Sequence, residues 1–422
     1  MKFNKTTLSS GLRLVTIPMP DNPSVTVLVM VEAGSKYETK AESGMSHFLE
    51  HMVFKGTPKR PKASDISREL DSIGAQYNAF TAQEFTGYYA KADARHLDII
   101  LDVISDLYQN PLFDEKEMEK EKGVIVEEIK MYRDLPQKHV QDVLMELVYG
   151  DQPSGWNIAG TEENVRSFSR AALSDYRSRH YVAPATVVFV AGSFDEQAIA
   201  VKVRAAFNGL DDGSKAGKPS VSEAQDRPAI RIEAKETDQT HLVFGFRSFP
   251  IKDPRMPAMQ VLSGVLGAGM SSRLFSKMRD ELGICYYIRA ANDPFTDHGL
   301  FTISAGVDNA RVGEAIREIL QECIRLKTEL VPEAELRKVK DYLAGTTMLE
   351  LETSEARAEF AGYQEILKGS IEMPDAVISK IKTVTAAEVT ALAKDLFKEE
   401  RLNLAMVGRA KTADIEGLLR LS

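Results

Sequence analysis

An α+β fold of two homologous domains, each an α/β sandwich with a mixed or antiparallel sheet and helices packed on it, is what three observations in this sequence predict. First, single hydrophobic cores stop growing at about 250–300 residues, and this chain has 422. Second, residues 211–222 form a polar run with Gly, Ser and Pro and no apolar periodicity, which divides the chain into near-equal halves. Third, each half repeats the same order: an apolar strand, a helix with Gly nearby, an aromatic-rich strand pair, and a long amphipathic helix followed by a charged one. The boundaries read as a first domain over 1–210, a linker over 211–227 and a second domain over 228–422. So long a period marks a duplicated domain rather than a solenoid.

The halves can be laid side by side. The apolar run 25–31 answers to 241–246, the helix start 113–118 to 331–336, and the strand 185–192 to 401–408. Residues 43–58 read as a helix with Ser43 at its start, Gly56 at its end and Pro58 beyond. Gly74 stops a helix, and residues 74–81 enter a strand. Residues 115–131 form the charged helix of the first half.

Composition excludes several classes. With 53 Lys and Arg against 62 Asp and Glu, a net charge of -9 repels phosphate backbones, so nucleic acid is not an expected partner. Only two cysteines occur, Cys285 and Cys323, too few for a disulfide framework or a Cys-based metal site; this fits a reducing compartment. No secretory signal opens the sequence and no window is apolar enough to span a bilayer, so the expectation is a cytoplasmic protein without a membrane span.

The chemistry concentrates in the helix at 43–58. His47 and His51 are one helical turn apart on one face, a spacing at which two imidazoles can share one zinc. Glu50 stands beside them, where a carboxylate can act as general base toward water without being a ligand. A bare histidine pair at this spacing would more often cover a solvated face. Here the pair encloses a Glu, sits among Met45, Phe48, Leu49 and Met52, and draws on only seven histidines in the chain. A catalytic zinc needs a third protein ligand. The charged helix supplies candidates: Glu121 and Glu128 share a face beside the Ile125 and Ile129 ridge, with Glu127 about a quarter turn away, and helical geometry does not choose between Glu127 and Glu128.

The run from His47 to Thr57, with that from Glu121 to Ile129, resembles the pitrilysin/insulinase family of zinc peptidases over essentially the whole chain, in particular its short members of the mitochondrial processing peptidase β-subunit type. The resemblance implies that His47, His51 and Glu128 hold one zinc ion per chain, that Glu50 is the catalytic base, and that Glu121 is a supporting carboxylate. It also implies that Arg279 and Tyr286, seven residues apart in the second half, hold the substrate backbone and stabilise the oxyanion, a role suited to a cationic fork and a phenol. Residues 74–81 resemble the family's edge strand, so Asn78, Ala79, Phe80 and Thr81 are expected to receive an extended peptide as an added strand.

The repeat copy lacks the metal site: Glu121 falls opposite Val339 and Glu128 opposite Thr346, and no second inverted motif follows the linker. The resemblance further implies two chains closing around the substrate, as a homodimer because this chain holds both halves of the machinery, or as a heterodimer with an inactive homologue. The expected activity is a zinc metalloendopeptidase acting on short or unfolded peptides. A presequence-type processing peptidase and a non-catalytic assembly subunit of the same fold are the competing expectations.

Overall fold

The computed structural model describes residues 1–410 and 415–421. Its strands form two sheets. The first contains β1 (Asn4–Thr7), β2 (Arg13–Pro18), β3 (Ser24–Val31), β4 (Gln76–Thr81), β5 (Thr86–Asp93) and β6 (Thr186–Gly192), in the order β1-β2-β6-β3-β5-β4. The second contains β7 (Ala229–Ala234), β8 (Gln239–Ser248), β9 (Cys285–Pro294), β10 (Gly299–Asp308) and β11 (Leu402–Gly408), in the order β7-β11-β8-β10-β9. Apart from β1, the two orders superimpose element for element. In both, one pair is parallel (β2 with β6, β7 with β11) and the other neighbours are antiparallel. The duplicated mixed-sheet fold expected from the sequence is the fold observed.

The helices of the first half that matter for the site are α1 (Met45–Val53), α2 (Ala63–Asp71), α3 (Leu97–Gln109), α4 (Glu115–Asp134) and α5 (Pro136–Tyr149). α1 is shorter than the sequence suggests, because Gly44 sits at φ +98° and starts it while Phe54 caps it. Both cysteines are buried and free.

Both faces of each sheet are covered, which is why the central strands read as apolar runs rather than alternating ones. On β3, Val25, Val27, Val29 and Val31 enter the main core of the first unit, with α1 and α3, while Leu28 and Met30 face the other way. On β8, Leu242, Phe244 and Phe246 enter the main core of the second unit, and Val243 faces the other way.

What covers those second faces is not what a single cut at 211–227 implies. Each compact unit is assembled from three segments: 1–129, 157–219 and 349–373 in the first, and 130–156, 220–348 and 374–422 in the second. The first sheet is covered by the helix Ser354–Lys368, whose Ala358, Ala361 and Ile366 pack on Val15, Ile17, Leu28, Met30, Val187 and Phe189. The second sheet is covered by α5, whose Val140, Val143, Leu144 and Val148 pack on Val243, Leu300, Ala405 and Val407. The two halves of the sequence exchange equivalent helices.

Close approach and buried charge fix the exchanged helix on the first sheet. A Cβ at Gly362 would stand 2.4 Å from the Met30 sulfur. The fully buried Glu365 accepts from Lys5 at 2.7 Å and Arg13 at 3.1 Å, and the Ser354 hydroxyl lies 2.8 Å from that of Thr26. The linker has no regular structure between Ala206 and Ala229. Its Lys215 pairs with Glu32 at 2.8 Å and its Lys218 with the buried Glu84 at 3.4 Å. Among the described residues, no helix is long and apolar enough to cross a membrane.

The exchange makes a fragment prediction. Residues 1–219 alone lack the segment 349–373 and expose the Val15, Ile17, Leu28, Met30, Val187 and Phe189 face, at a cost of roughly 1.5–3 kcal/mol per uncovered large side chain. This fragment is expected to show no cooperative unfolding by circular dichroism. The same fragment with 349–373 fused to its C-terminus is expected to regain a thermal transition.

Candidate metal centre

α1 can present only one face to the core. Met45, Phe48, Leu49, Met52 and Val53 are buried in it, which leaves His47, Glu50 and His51 half-buried on the opposite side. The helix has no capping side chain of its own, since Gly44 occupies the N-cap. A Cβ at Gly44 would meet the Ala159 carbonyl oxygen at 2.6 Å, so the start of the helix is held tightly. The missing acceptor comes from six residues upstream. The buried Glu38 takes the Gly44 N–H at 2.8 Å and the Ser46 N–H at 2.7 Å, one on each carboxylate oxygen, satisfying two donors that a helix start leaves free. Burial pushes the Glu38 carboxyl up to about 8, against the pull of those hydrogen bonds. The Ser46 hydroxyl meets the Tyr176 hydroxyl at 2.7 Å. In sequence Glu38 stands between Lys36 and Glu42 and reads as an ordinary surface charge.

α4 brings its carboxylates to the imidazoles. Glu128 Oε2 lies 3.4 Å from His51 Nε2 and 3.8 Å from His47 Nε2, and the rings of the two histidines are 4.6 Å apart. Donors around a tetrahedral zinc at 2.0–2.1 Å are separated by roughly 3.4 Å. The three side chains therefore fit the ion with small adjustments, and they form the only cluster of this kind among the described residues. Glu127 is exposed, and Glu128 turns toward the histidines.

Glu121 lies behind His51. Its Oε1 is 2.9 Å from His51 Nδ1, and its Oε2 takes a 2.6 Å ion pair from Lys55. This is the carboxylate–histidine arrangement that orients a metal-binding imidazole, with a lysine balancing the buried carboxylate. In sequence Lys55 reads as an ordinary charge at the end of the helix. Burial alone would lower the His51 pKa, but the hydrogen bonds and charges of Glu121 and Glu128 outweigh it and hold the ring at about 9. Burial, joined by the charge of His51, drives His47 the other way, toward its neutral form. His47 Nδ1 is buried without a hydrogen-bond partner.

Glu50 accepts from the Thr81 hydroxyl at 2.5 Å. Burial raises its pKa; the Thr81 bond and His51 oppose the rise, and Glu128 adds to it. Thr81 ends β4, and β4 is the edge of the first sheet, paired among the described residues only with β5, through Gln76↔Lys91, Asn78↔Tyr89 and Thr81↔Thr86. Asn78 is exposed and Ala79 buried. Phe80 lies over Gly87, where a Cβ would meet its ring at 2.2 Å. The expected edge strand therefore has an open edge.

Arg279 and Tyr286 belong to the second unit. Arg279 sits in the π-helical turn Ser276–Glu281, and Tyr286 near the start of β9, the edge strand of the second sheet. The pairing jumps from Gly306↔Tyr287 to Val307↔Cys285, so Tyr286 is the extra residue of a β-bulge, a device that re-aims a side chain. Tyr286 is 69% exposed. The Arg279 guanidinium lies 5.1 Å from the ring centroid and donates to the Tyr286 carbonyl at 2.7 Å. The structure brings these two residues together, and separately the set His47, Glu50, His51, Thr81, Glu121 and Glu128.

In the second unit, the counterpart of α1 is the helix Met256–Gly267. Matching its buried Val261, Leu262, Val265 and Leu266 to Phe48, Leu49, Met52 and Val53 puts Gln260, Ser263 and Gly264 opposite His47, Glu50 and His51. Val339 packs on Gly264, 2.6 Å from where a Cβ would stand, just as Glu121 meets His51.

Zinc requires neutral imidazoles. His51, held at about 9, carries a proton at pH 7, whereas His47 does not. Zinc binding at pH 7 is therefore expected to release about one proton, and its affinity is expected to rise with pH up to the His51 value. Calorimetry in two buffers of different ionisation enthalpy measures the release. Glu121→Gln is expected to weaken zinc binding about 10–100-fold, and His51→Ala to abolish stoichiometric zinc in the purified protein.

The insulinase (peptidase family M16) profile matches residues 13–162, and the peptidase M16 inactive-domain profile matches residues 167–343. An uncharacterised zinc protease of Bacillus subtilis is 36% identical over 394 residues, covering 93% of this chain and 95% of that protein. A protease from Helicobacter pylori has the same fold, with a TM-score of 0.91 at 22% identity, over 96% of this chain and 99% of that one. A chain of complex III2 from Candida albicans shares the fold with a TM-score of 0.84 at 18% identity, over 96% of this chain and 95% of that one. With an inverted His-Glu-His helix in its first domain and a second copy of that domain without the motif, the chain belongs to the insulinase family of peptidases, family M16, as a short two-domain member.

Proposed function

We propose that this protein is a zinc metalloendopeptidase that hydrolyses short or unfolded peptides by Glu50-assisted attack of water. The observation that carries the reading is the convergence of His47, His51 and Glu128 within 4.8 Å of one another, with Glu50 on the same helix face held by Thr81. The zinc protease name of the Bacillus subtilis relative supports it. Zinc, when bound by His47, His51 and Glu128, supplies Lewis acidity toward the scissile carbonyl and lowers the pKa of water.

The chain's own residues account for the rest. Glu121 and Lys55 hold His51 in orientation. Glu50, its carboxyl raised by burial, is poised to take a proton from the attacking water and to return it to the leaving amine. An extended peptide adds to the open edge of β4 through backbone hydrogen bonds, which sets register with little sequence preference. Arg279 and the bulged Tyr286 offer donors to a substrate carbonyl and to the oxyanion. The working assembly is proposed to be a homodimer, because one chain carries both the metal-binding set and the Arg/Tyr pair. Nothing in the donor set is broken, which favours catalysis over a purely structural subunit role.

Glu50→Gln is expected to keep its zinc and to lose roughly 10²–10⁴-fold or more in turnover of an unstructured peptide. Metal analysis with a fluorogenic peptide assay checks both; full turnover in that variant would remove Glu50 as the base. Cleavage-site profiling on a peptide library separates broad degradation from presequence-type processing, and light scattering reads the assembly.

A further inference from the structure

The Thr81 side chain does work that its place on an edge strand does not require. A strand that receives a peptide uses backbone groups, and any β-forming residue would serve there. Yet the Thr81 hydroxyl spends its single donor on Glu50 Oε2, at 2.5 Å. Among the described residues, the bond leaves Glu50 Oε1 without a protein partner.

The hydroxyl is itself held in place. Thr81 pairs with Thr86 across the β4/β5 turn, and Ala82 N–H closes that turn on the Phe85 carbonyl at 2.8 Å. A second segment clamps the turn: Ser35 N–H donates to the Ala82 carbonyl at 3.2 Å and Lys36 N–H to that of Gln83 at 2.8 Å. The approach is so close that a Cβ at Gly34 would stand 2.2 Å from the Ala82 oxygen. Beneath it, the buried Lys36 and Glu84 pair at 3.2 Å. A β-branched residue on such a frame has little rotamer freedom. Glu50, by contrast, is a long side chain on a helix surface, whose carboxylate needs an external tie to point in one direction.

We infer that Thr81 is a positioning residue for Glu50: its hydroxyl turns one carboxylate oxygen inward and leaves the other for the proton transfer, and it ties the base to the strand on which the peptide adds. The inference rests on the reading of Glu50 as the base.

The test compares Thr81→Val, which keeps shape and strand preference but removes the donor, with Thr81→Ser, which keeps the donor. Steady-state kinetics on a fluorogenic peptide, zinc content and thermal unfolding are measured, alongside Glu50→Gln. Thr81→Val is expected to lose roughly 10- to 100-fold in kcat, the worth of a hydrogen bond to a charged group, with KM and zinc content unchanged. Thr81→Ser is expected to recover most of that loss, and Thr81→Ala to behave as Val does. A role in strand packing would give the reverse order, with Val close to the parent and Ser impaired; that order overturns the inference. Parent-like kcat in Thr81→Val, with Glu50→Gln inactive, overturns the inference and leaves the base in place. Full activity in Glu50→Gln overturns the reading of the base instead. If Thr81→Val and Thr81→Ala both fail to fold, the hydroxyl's role is structural and the inference falls.

Discussion

The one rotational setting of α1 is the constraint on which the site depends. Its ridge of Met45, Phe48, Leu49, Met52 and Val53 is sealed in the first unit's core, so a slip by one residue, a turn of about 100°, would carry an imidazole or the Glu50 carboxylate into apolar packing. Burying such a group without a partner costs on the order of 1–3 kcal/mol. Glu38 then sets where the helix begins, since its two oxygens are matched to two particular N–H groups. With rotation and start both fixed, everything else is aimed at a stationary target: Glu121 and Glu128 from α4, Thr81 from β4, Lys55 from the chain just past the helix.

The duplication was legible because it is written in local patterns. Strands buried on both faces leave apolar runs, and the charged helix after each amphipathic one is periodic enough to align by eye. The exchange of helices was not legible. An apolar stripe such as Val140, Val143, Leu144 and Val148 says that α5 is buried, and the stripe on Ser354–Lys368 says the same of that helix. Neither says on which sheet. The fit that distinguishes them lies across long sequence separations: Leu144 over Gly245, and Met30 against Gly362. A single linker cut assigns both of these helices, one per unit, to the wrong sheet.

The same division runs through the site. His47, Glu50 and His51 could be read from spacing because one helix carries all three. Choosing Glu128 over Glu127 took a family resemblance, and the geometry shows why spacing failed: the two differ by about 100° of rotation on a helix whose axis relative to α1 the sequence does not state. Glu38, Lys55 and the Thr81 hydroxyl carried no signal at all. Each is an ordinary polar residue whose meaning lies in a partner beyond its own turn or strand. Tyr286 was legible as a match to a motif, but not as the extra residue of a bulge, because a register shift belongs to a pair of strands.

The second copy shows what stands in the place of the candidate metal centre. There, the groove between the two equivalent helices is closed by Val339 packed on Gly264, an apolar contact that needs no partner and adds to the core. In the first copy the same place holds Glu121 against His51, a nearly buried carboxylate that is tolerated because Lys55 and the imidazole both bind it. Removing one member of such a set leaves a buried charge unpaired, which is far more costly than exchanging the whole set for well-packed apolar residues. A polar site of this kind is therefore held or lost as a unit. In the second copy, Val339 packed on Gly264 is the apolar solution to the same packing problem, with Gln260 and Ser263 standing where the first copy has His47 and Glu50. The intact set in the first copy is the costlier solution, and packing alone gives no reason for it.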